Sequence, residues 1–222
     1  INIQEKPNGE DPNLVDWTIE VDKGKKVKIE SINFEGNENI SSKKLRKKGF
    51  KNTKQKRFFA GILKPSKLIK EKYEEDKHNL ISYYNSLGYR DAKIISDTIT
   101  RSDKGFDIKV KLEEGKKYYI GNIEFYGNTV FSTETLQRLL GYKKGDIYDA
   151  VGFNKKVGED GGKDDDSDLK SLYMNNGYLF SNITPIEKSV EGDSINLEIR
   201  ITEGERATWN KVTWSGNTTT HD

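Results

Sequence analysis

Apolar residues alternate with polar ones in three places along this chain of 222 residues, and each alternation runs up to a glycine. Val15, Trp17, Ile19 and Val21 form the first run. Phe106, Ile108, Val110 and Leu112 form the second, and Ile195, Leu197, Ile199 and Ile201 the third. A period of two with charges between predicts a strand with one face on a core and one in water. Past Gly24, Gly115 and Gly204 a further strand pattern begins, and its phase slips at the same point in each copy. Val27 and Ile29 are followed by Ile32 and Phe34, Tyr118 and Ile120 by Ile123 and Phe125, and Ala207 and Trp209 by Val212 and Trp214. A spacing of three where two is expected predicts a bulge or bend. Each of these strands runs into a Gly-Asn turn signal, at Gly36, Gly127 and Gly216. The copies recur after 91 and then 89 residues. That period is too long for a solenoid unit and suits a small domain repeated in tandem.

Between these landmarks the period changes to that of helices. A short pattern (Ile40 and Leu45; Phe131, Leu136, Leu139 and Leu140) opens at Ser41 and Ser132, which have the chemistry of N-caps. A longer stripe, Ile69, Tyr73, Leu80, Tyr84 and Leu87, ends at Gly88. Its counterpart, Leu169, Leu172 and Tyr173, ends at Gly177. Strands are then predicted over 89–98 and 178–188, joined by short turns to the alternating strands as hairpins. The predicted unit is β-α-α-β-β, an α+β layer pair: a three-stranded mixed sheet covered on one face by two helices. The expected boundaries are 24–115 and 116–205 for two complete units. Residues 1–23 read as the end of a preceding unit and 206–222 as the first strand of a following one, so the chain is expected to be a piece of a longer protein.

Composition narrows the class. Apolar residues make up 32% and charged residues 33% of the chain, which suits two thin cores better than one large one. The net charge of +2 conceals an asymmetry. Residues 25–115 hold 23 Lys and Arg against 13 Asp and Glu, whereas 116–205 hold 11 against 16. Adjacent copies of one domain therefore carry opposite charge. There is no cysteine, and the histidines are His78 and His221. No nucleophile–base set, metal-ligand cluster or phosphate loop can be assembled, so no enzymatic activity, cofactor, metal site or small-molecule substrate is expected.

The order of elements and four motifs resemble the POTRA domains of the outer-membrane assembly factor BamA family. The motifs are the strand ending in (E/Y/S)-G-N, the run LGYKKGDIYD, the pattern Y-x-x-x-G-Y, and the strand ending in E-G. Residues 27–115 look most like a third POTRA and 117–205 like a fourth. The resemblance implies a periplasmic location at the outer membrane of a Gram-negative bacterium. It also implies three kinds of partner: unfolded outer-membrane β-barrel proteins, lipoprotein or other subunits of the assembly machine, and the protein's own membrane barrel outside this sequence. The POTRA region of a two-partner secretion transporter is an alternative. A KH-like nucleic-acid module shares the β-α-α-β order, but neither inter-helix loop contains G-x-x-G, so no nucleic acid is expected.

Two sets of residues stand out as candidate sites. If the hairpin strands pair and the first strand joins the other side of the last, Ala92, Lys93, Ile94, Ile95, Ser96 and Asp97 lie on an open edge. Such an edge can add an extended peptide as a further strand. In the second unit Ser181–Pro185 is a poorer template, because Pro185 removes a donor. The second set is a basic run containing Lys43, Lys44, Arg46, Lys47, Lys48, Lys51, Lys54, Lys56 and Arg57 with no acid between. It reads either as a solvated surface or as a dock for an acidic partner. Phe58 and Phe59 follow it and read either as core beneath the loop or as part of that dock. The acidic run over 158–168 lacks the ligand spacing of a calcium loop and reads as a mobile loop.

Overall fold

A computed structural model describes residues 2–7, 15–20, 28–55, 58–59, 62–63, 67–159, 167–208 and 210–213. Strand β1 (Asn2–Pro7) pairs antiparallel with β2 (Val15–Glu20). The first complete unit comprises β3 (Ile29–Glu35), α1 (Ser42–Lys48), a small ribbon of β4 (Phe58–Phe59) and β5 (Ile62–Leu63), α2 (Lys70–Asn85), β6 (Lys93–Ser102) and β7 (Gly105–Glu113). The second comprises β8 (Tyr119–Tyr126), α3 (Thr133–Leu140), α4 (Ala150–Val157), α5 (Leu169–Asn175), β9 (Asn182–Glu191) and β10 (Ser194–Thr202).

Both sheets are three-stranded and mixed, in the orders β3-β7-β6 and β8-β10-β9. The hairpin partners are antiparallel, and the first strand of each unit runs parallel to the last. The phase slip read in the sequence is a register shift: β3 and β7 slip between Ile29 and Ser31, and β8 and β10 slip opposite Ile195 and Leu197. Each unit has its own core. Ile29, Ile32, Leu45, Leu80, Ile108 and Val110 anchor the first, and Ile120, Leu136, Phe153, Leu169, Ile195 and Ile199 the second. Edge-to-face aromatic pairs close each core, Phe34 on Phe50 at 5.3 Å and Phe131 on Tyr173 at 5.0 Å. The alternating face of β2, by contrast, is open: Val15, Trp17 and Ile19 are each more than half exposed. No helices of its own unit accompany that hairpin among the described residues.

The recurring glutamate and asparagine have a shared structural task. Glu114, after β7, accepts the amides of Asn39 and Ile40, the Asn39 side chain and the Tyr84 hydroxyl. Glu203, after β10, accepts the amides of Thr129 and Val130 and the Tyr173 hydroxyl. Asn37 and Asn128 each donate to the carbonyl three residues on. One carboxylate thus ties the first strand's turn and the last helix to the end of the central strand. Burial pushes the Glu203 carboxyl up, but the hydrogen bonds from Thr129, Val130 and Tyr173 outweigh it and leave the group below its ordinary value. The unfolded chain then takes up the proton more readily than the folded one. The stability Glu203 supplies is therefore present at neutral pH and lost as pH falls below the ordinary glutamate value and through its lower value in the folded chain. Glu203→Gln should flatten the acid limb of a stability–pH profile, and an unchanged slope below pH 5 would refute this role.

Four details depart from the sequence reading. The edge strand begins at Lys93, not Tyr89, because the chain makes one more turn (the Ala92 amide donates to the Tyr89 carbonyl) before extending. Tyr178 and Ser181 repeat that turn before β9. The second unit has three helices where two were expected. Asp149 caps α4 by accepting from the Gly152 amide, Gly158 ends it, and Asp168 caps α5 by accepting from the Ser171 amide. Ser132 caps α3 as expected, but Ser41 makes no side-chain cap bond. Residues 206–208 and 210–213 form no strand. In the complete units the first strand pairs with the last of its own unit.

The junction after β7 is built from backbone and side chains together. The Tyr118 amide donates to the Gly88 carbonyl at 2.8 Å, and 89 residues later the Ala207 amide donates to the Gly177 carbonyl at 2.8 Å. Arg90 pairs with Glu187 of β9, which also accepts from the Tyr148 hydroxyl at 2.9 Å. The Tyr118 hydroxyl donates to Asp91 at 2.6 Å. A Cβ on Gly88 would lie 2.8 Å from Ile147 and 3.0 Å from the Tyr118 carbonyl oxygen, so only glycine fits this contact.

Candidate functional site: the open edge of the first sheet

In each complete unit, one outer strand of the sheet follows the last helix and one opens the unit. In the first unit these are β6 and β3, and they differ in how far their outward groups are used. The outward backbone of β3 is engaged at Ile32, which donates to Gln55 Oε1 at 3.3 Å and accepts from Arg46 at 2.9 Å. Lys28, just before the strand, forms a bridge with Lys67. Strand β6 has β7 on one side and, among the described residues, no strand on the other.

Which groups β6 presents follows from its pairing. Phe106 donates its N–H to Lys28 on the far side of β7, so Arg101 and Phe106 face each other without exchanging bonds. Alternation then turns the N–H and C=O of Ile99 and Asp97 away from β7. The register shift between Ile94 and Ser96 leaves Ile95 as the extra residue. A bulge of this kind sharpens the local twist and limits edge-to-edge pairing with other sheets.

The predicted edge residues divide accordingly. Lys93, Ile94, Ile95, Ser96 and Asp97 lie in β6, whereas Ala92 precedes the strand and is buried in the first core, because its turn directs it inward. Sequence reasoning stopped at Thr98 and missed the last four residues of the strand, Ile99 to Ser102, by placing the turn too early. Lys93 pairs with Glu113 at 3.2 Å across the hairpin. Asp97 accepts from the Tyr73 hydroxyl at 2.9 Å and lies 3.4 Å from Lys77, so α2 holds one wall of the edge. Burial, and then the bond to Asp97, push the Tyr73 hydroxyl well above the ordinary tyrosine value, so it stays a donor at physiological pH.

The equivalent edge of the second unit, β9, is less available. Pro185 stands opposite Ile199 in the ladder, and Glu187 is engaged by Arg90 and Tyr148 at the junction.

The basic run is split by the fold. Lys43, Lys44, Lys47 and Lys48 are exposed on α1, and Lys51 and Lys54 are exposed on the loop that follows. Arg46 turns back onto β3, and Lys54 donates to the Phe50 carbonyl. Arg57 lies outside the described residues. Phe58 and Phe59 form β4, and their side chains also lie outside them. The acidic run is described only at its two ends, Gly158–Glu159 and Ser167–Asp168. Among the described residues, no three carboxylates or imidazoles converge as a metal ion would need.

Each complete unit is an α+β module, a three-stranded mixed sheet with helices packed on one face. Both units match the family model POTRA, surface antigen variable number repeat, over residues 27–115 and 118–204, and the chain belongs to that family. Similar proteins include the outer membrane protein assembly factor BamA of Neisseria meningitidis, 26% identical over 215 residues, which are 95% of this chain and 26% of that protein. A putative outer membrane protein assembly factor of Treponema pallidum is 29% identical over 217 residues, 94% of this chain and 24% of that one. The chain spans about a quarter of the length of these curated relatives. The crystal structure of Haemophilus influenzae BamA POTRA domains 3–5 shares its fold, with a TM-score of 0.59 at 18% identity, over 88% of this chain and 73% of that one. No helix among the described residues is long and apolar enough to cross a membrane, which says nothing of a β-barrel.

Proposed function

We propose that this chain is the periplasmic docking region of an outer-membrane β-barrel assembly protein, at the outer membrane of a Gram-negative bacterium. Its units, 24–115 and 116–205, act as non-catalytic scaffolds. The first holds extended segments of unfolded outer-membrane proteins as an added strand on β6. Main-chain hydrogen bonds suit this task, since they bind many sequences without reading side chains. The exposed lysines of α1 dock an acidic face of an accessory subunit such as a lipoprotein. The observation that carries this reading is the outward backbone of β6, in a sheet whose opposite edge is engaged at Ile32 by Arg46 and Gln55.

Proline tests it through the alternation. Ile99→Pro removes an outward N–H and leaves the ladder with β7 intact, whereas Thr98→Pro removes a ladder donor. Crosslinking of an unfolded β-barrel substrate to β6 should fall about tenfold in Ile99→Pro, the equivalent of one or two lost hydrogen bonds. Its melting temperature should drop far less than that of Thr98→Pro. Equal crosslinking in Ile99→Pro and wild type would refute the edge as the docking site.

A further inference from the structure

The two units use the same position on α1 and α3 differently, and that difference opens a second edge. Arg46 in α1 closes the Ile32 carbonyl, and Gln55 closes the Ile32 amide. Gln137 stands 91 residues after Arg46, on α3, and Ile123 stands 91 residues after Ile32, on β8. Gln137 is too short to repeat the arginine's reach and donates instead to the Tyr142 carbonyl. The start of β8 is covered, since Ile120 exchanges backbone bonds with Gly145 and Asp146. Beyond it the cover ends. By alternation from Ile120 across the bulge, and by equivalence with Ile32, the N–H and C=O of Ile123 and then Phe125 point outward. Among the described residues no backbone or side-chain group meets them there.

A groove of about 420 Å³ runs along this edge between Ile123, Gln137, Lys143 and Lys144. A second of about 420 Å³ continues it past Arg138 and Tyr142. Lys144 reaches Asn122 at 3.4 Å, and Glu124 on the strand is already neutralised by Lys188 at 2.7 Å. Glu134 also lines the second groove, so Arg138, Lys143 and Lys144 stand against one carboxylate not paired with Lys188, and the wall is net cationic in a unit that is acidic as a whole. Tyr142 closes the far end as a neutral hydroxyl, its pKa pushed up to about 12 by burial and Asp149.

We infer that the β8 edge is a second strand-docking site, which takes an extended peptide carrying carboxylate side chains. Backbone bonds to Ile123 and Phe125 would hold the peptide, and Lys143 and Lys144 would select for acid. This goes beyond the docking proposed for β6, because it lies on another strand of another unit and has a charge preference.

The test uses the whole chain and two synthetic twelve-residue peptides of alternating Val and Thr, one ending in two Glu and the other in two Lys. Amide chemical shifts of Ile123 and Phe125 should move saturably with the Glu peptide. The Lys peptide should bind about tenfold more weakly, as expected when charge-assisted contacts are lost. Gln137→Arg should cap the Ile123 carbonyl as Arg46 caps Ile32 and weaken the shifts at β8 while leaving those at Asp97 and Ile99. Should that variant fold poorly, Lys143→Glu with Lys144→Glu, on an exposed loop, should reverse the peptide preference. Shifts confined to β6 would overturn this site and leave the β6 proposal standing. Shifts confined to β8 would do the reverse. Equal binding of the two peptides at β8 would overturn the acidic class.

Discussion

Gly127→Ala is expected to unfold the second unit and leave the first folded. Gly127 follows β8 with φ at +82°, a left-handed conformation that costs any other residue energy. The larger penalty is steric. A Cβ there would sit 2.1 Å from the carbonyl oxygen of Ile201, in the central strand β10. Backbone on both sides leaves nothing flexible to yield. Conformational strain and overlap together should cost about 4 kcal/mol, the scale of the whole stability of a domain this small. Because each unit has its own core, the loss should stay local. Hydrogen exchange measured by mass spectrometry should show protection lost across β8, β9 and β10 and retained across β3, β6 and β7. Native-like protection in β10 would contradict the close approach. Gly36 meets the Leu112 carbonyl at the same 2.1 Å and predicts the mirror result in the first unit.

Asp76→Ala should destabilise the first unit by about 3 kcal/mol, the cost of leaving buried donors without their charged acceptor. Asp76 lies in α2 with no exposed surface. Its carboxylate accepts the Asn52 amide at 2.9 Å, the Asn52 side chain at 3.2 Å, and the Thr53 amide. It therefore folds the start of the basic loop back onto the second helix. Asp76→Asn keeps the shape and one acceptor and should fall between alanine and wild type. Urea unfolding followed by tyrosine near-ultraviolet dichroism would measure both. A change under 1 kcal/mol for the alanine variant would show that the loop does not depend on this anchor. The loop after α1 rests on that anchor, so the same variant should also weaken the docking of an acidic partner proposed above.

The legible part of the fold was written in local periods. Val110 and Leu112, or Ile199 and Ile201, alternate because each strand places successive side chains on opposite faces, a rule that needs no knowledge of distant residues. The phase slip before Ile32 and Ile123 was visible for the same reason. It became a register shift in the structure. Helix ends were less secure. Nothing in the spacing of Leu169, Leu172 and Tyr173 reveals that Asp149 and Gly158 delimit an extra helix, because a cap depends on which amide its side chain happens to reach. The candidate edge was named from strand order, but it lies four residues further along the chain at the same ten-residue length, since the turn at Tyr89–Ala92, with Tyr89 packed on Tyr84, precedes it.

By itself the sequence determined two tandem copies of one β-α-α-β-β module, their glycine-marked junctions and the opposite charge of the two copies. Side-chain period and composition are properties of the chain, and a glycine at a fixed offset keeps its meaning in any copy. Only the tertiary structure decided what the polar residues do. Glu114 and Glu203 fasten turns more than 70 residues away, and Asp76 fastens a loop 24 residues away. Arg46 closes an edge that Gln137, at the same place in the second unit, leaves open. Such bonds join residues distant along the chain, and a change of one or two ångströms in reach decides whether they form.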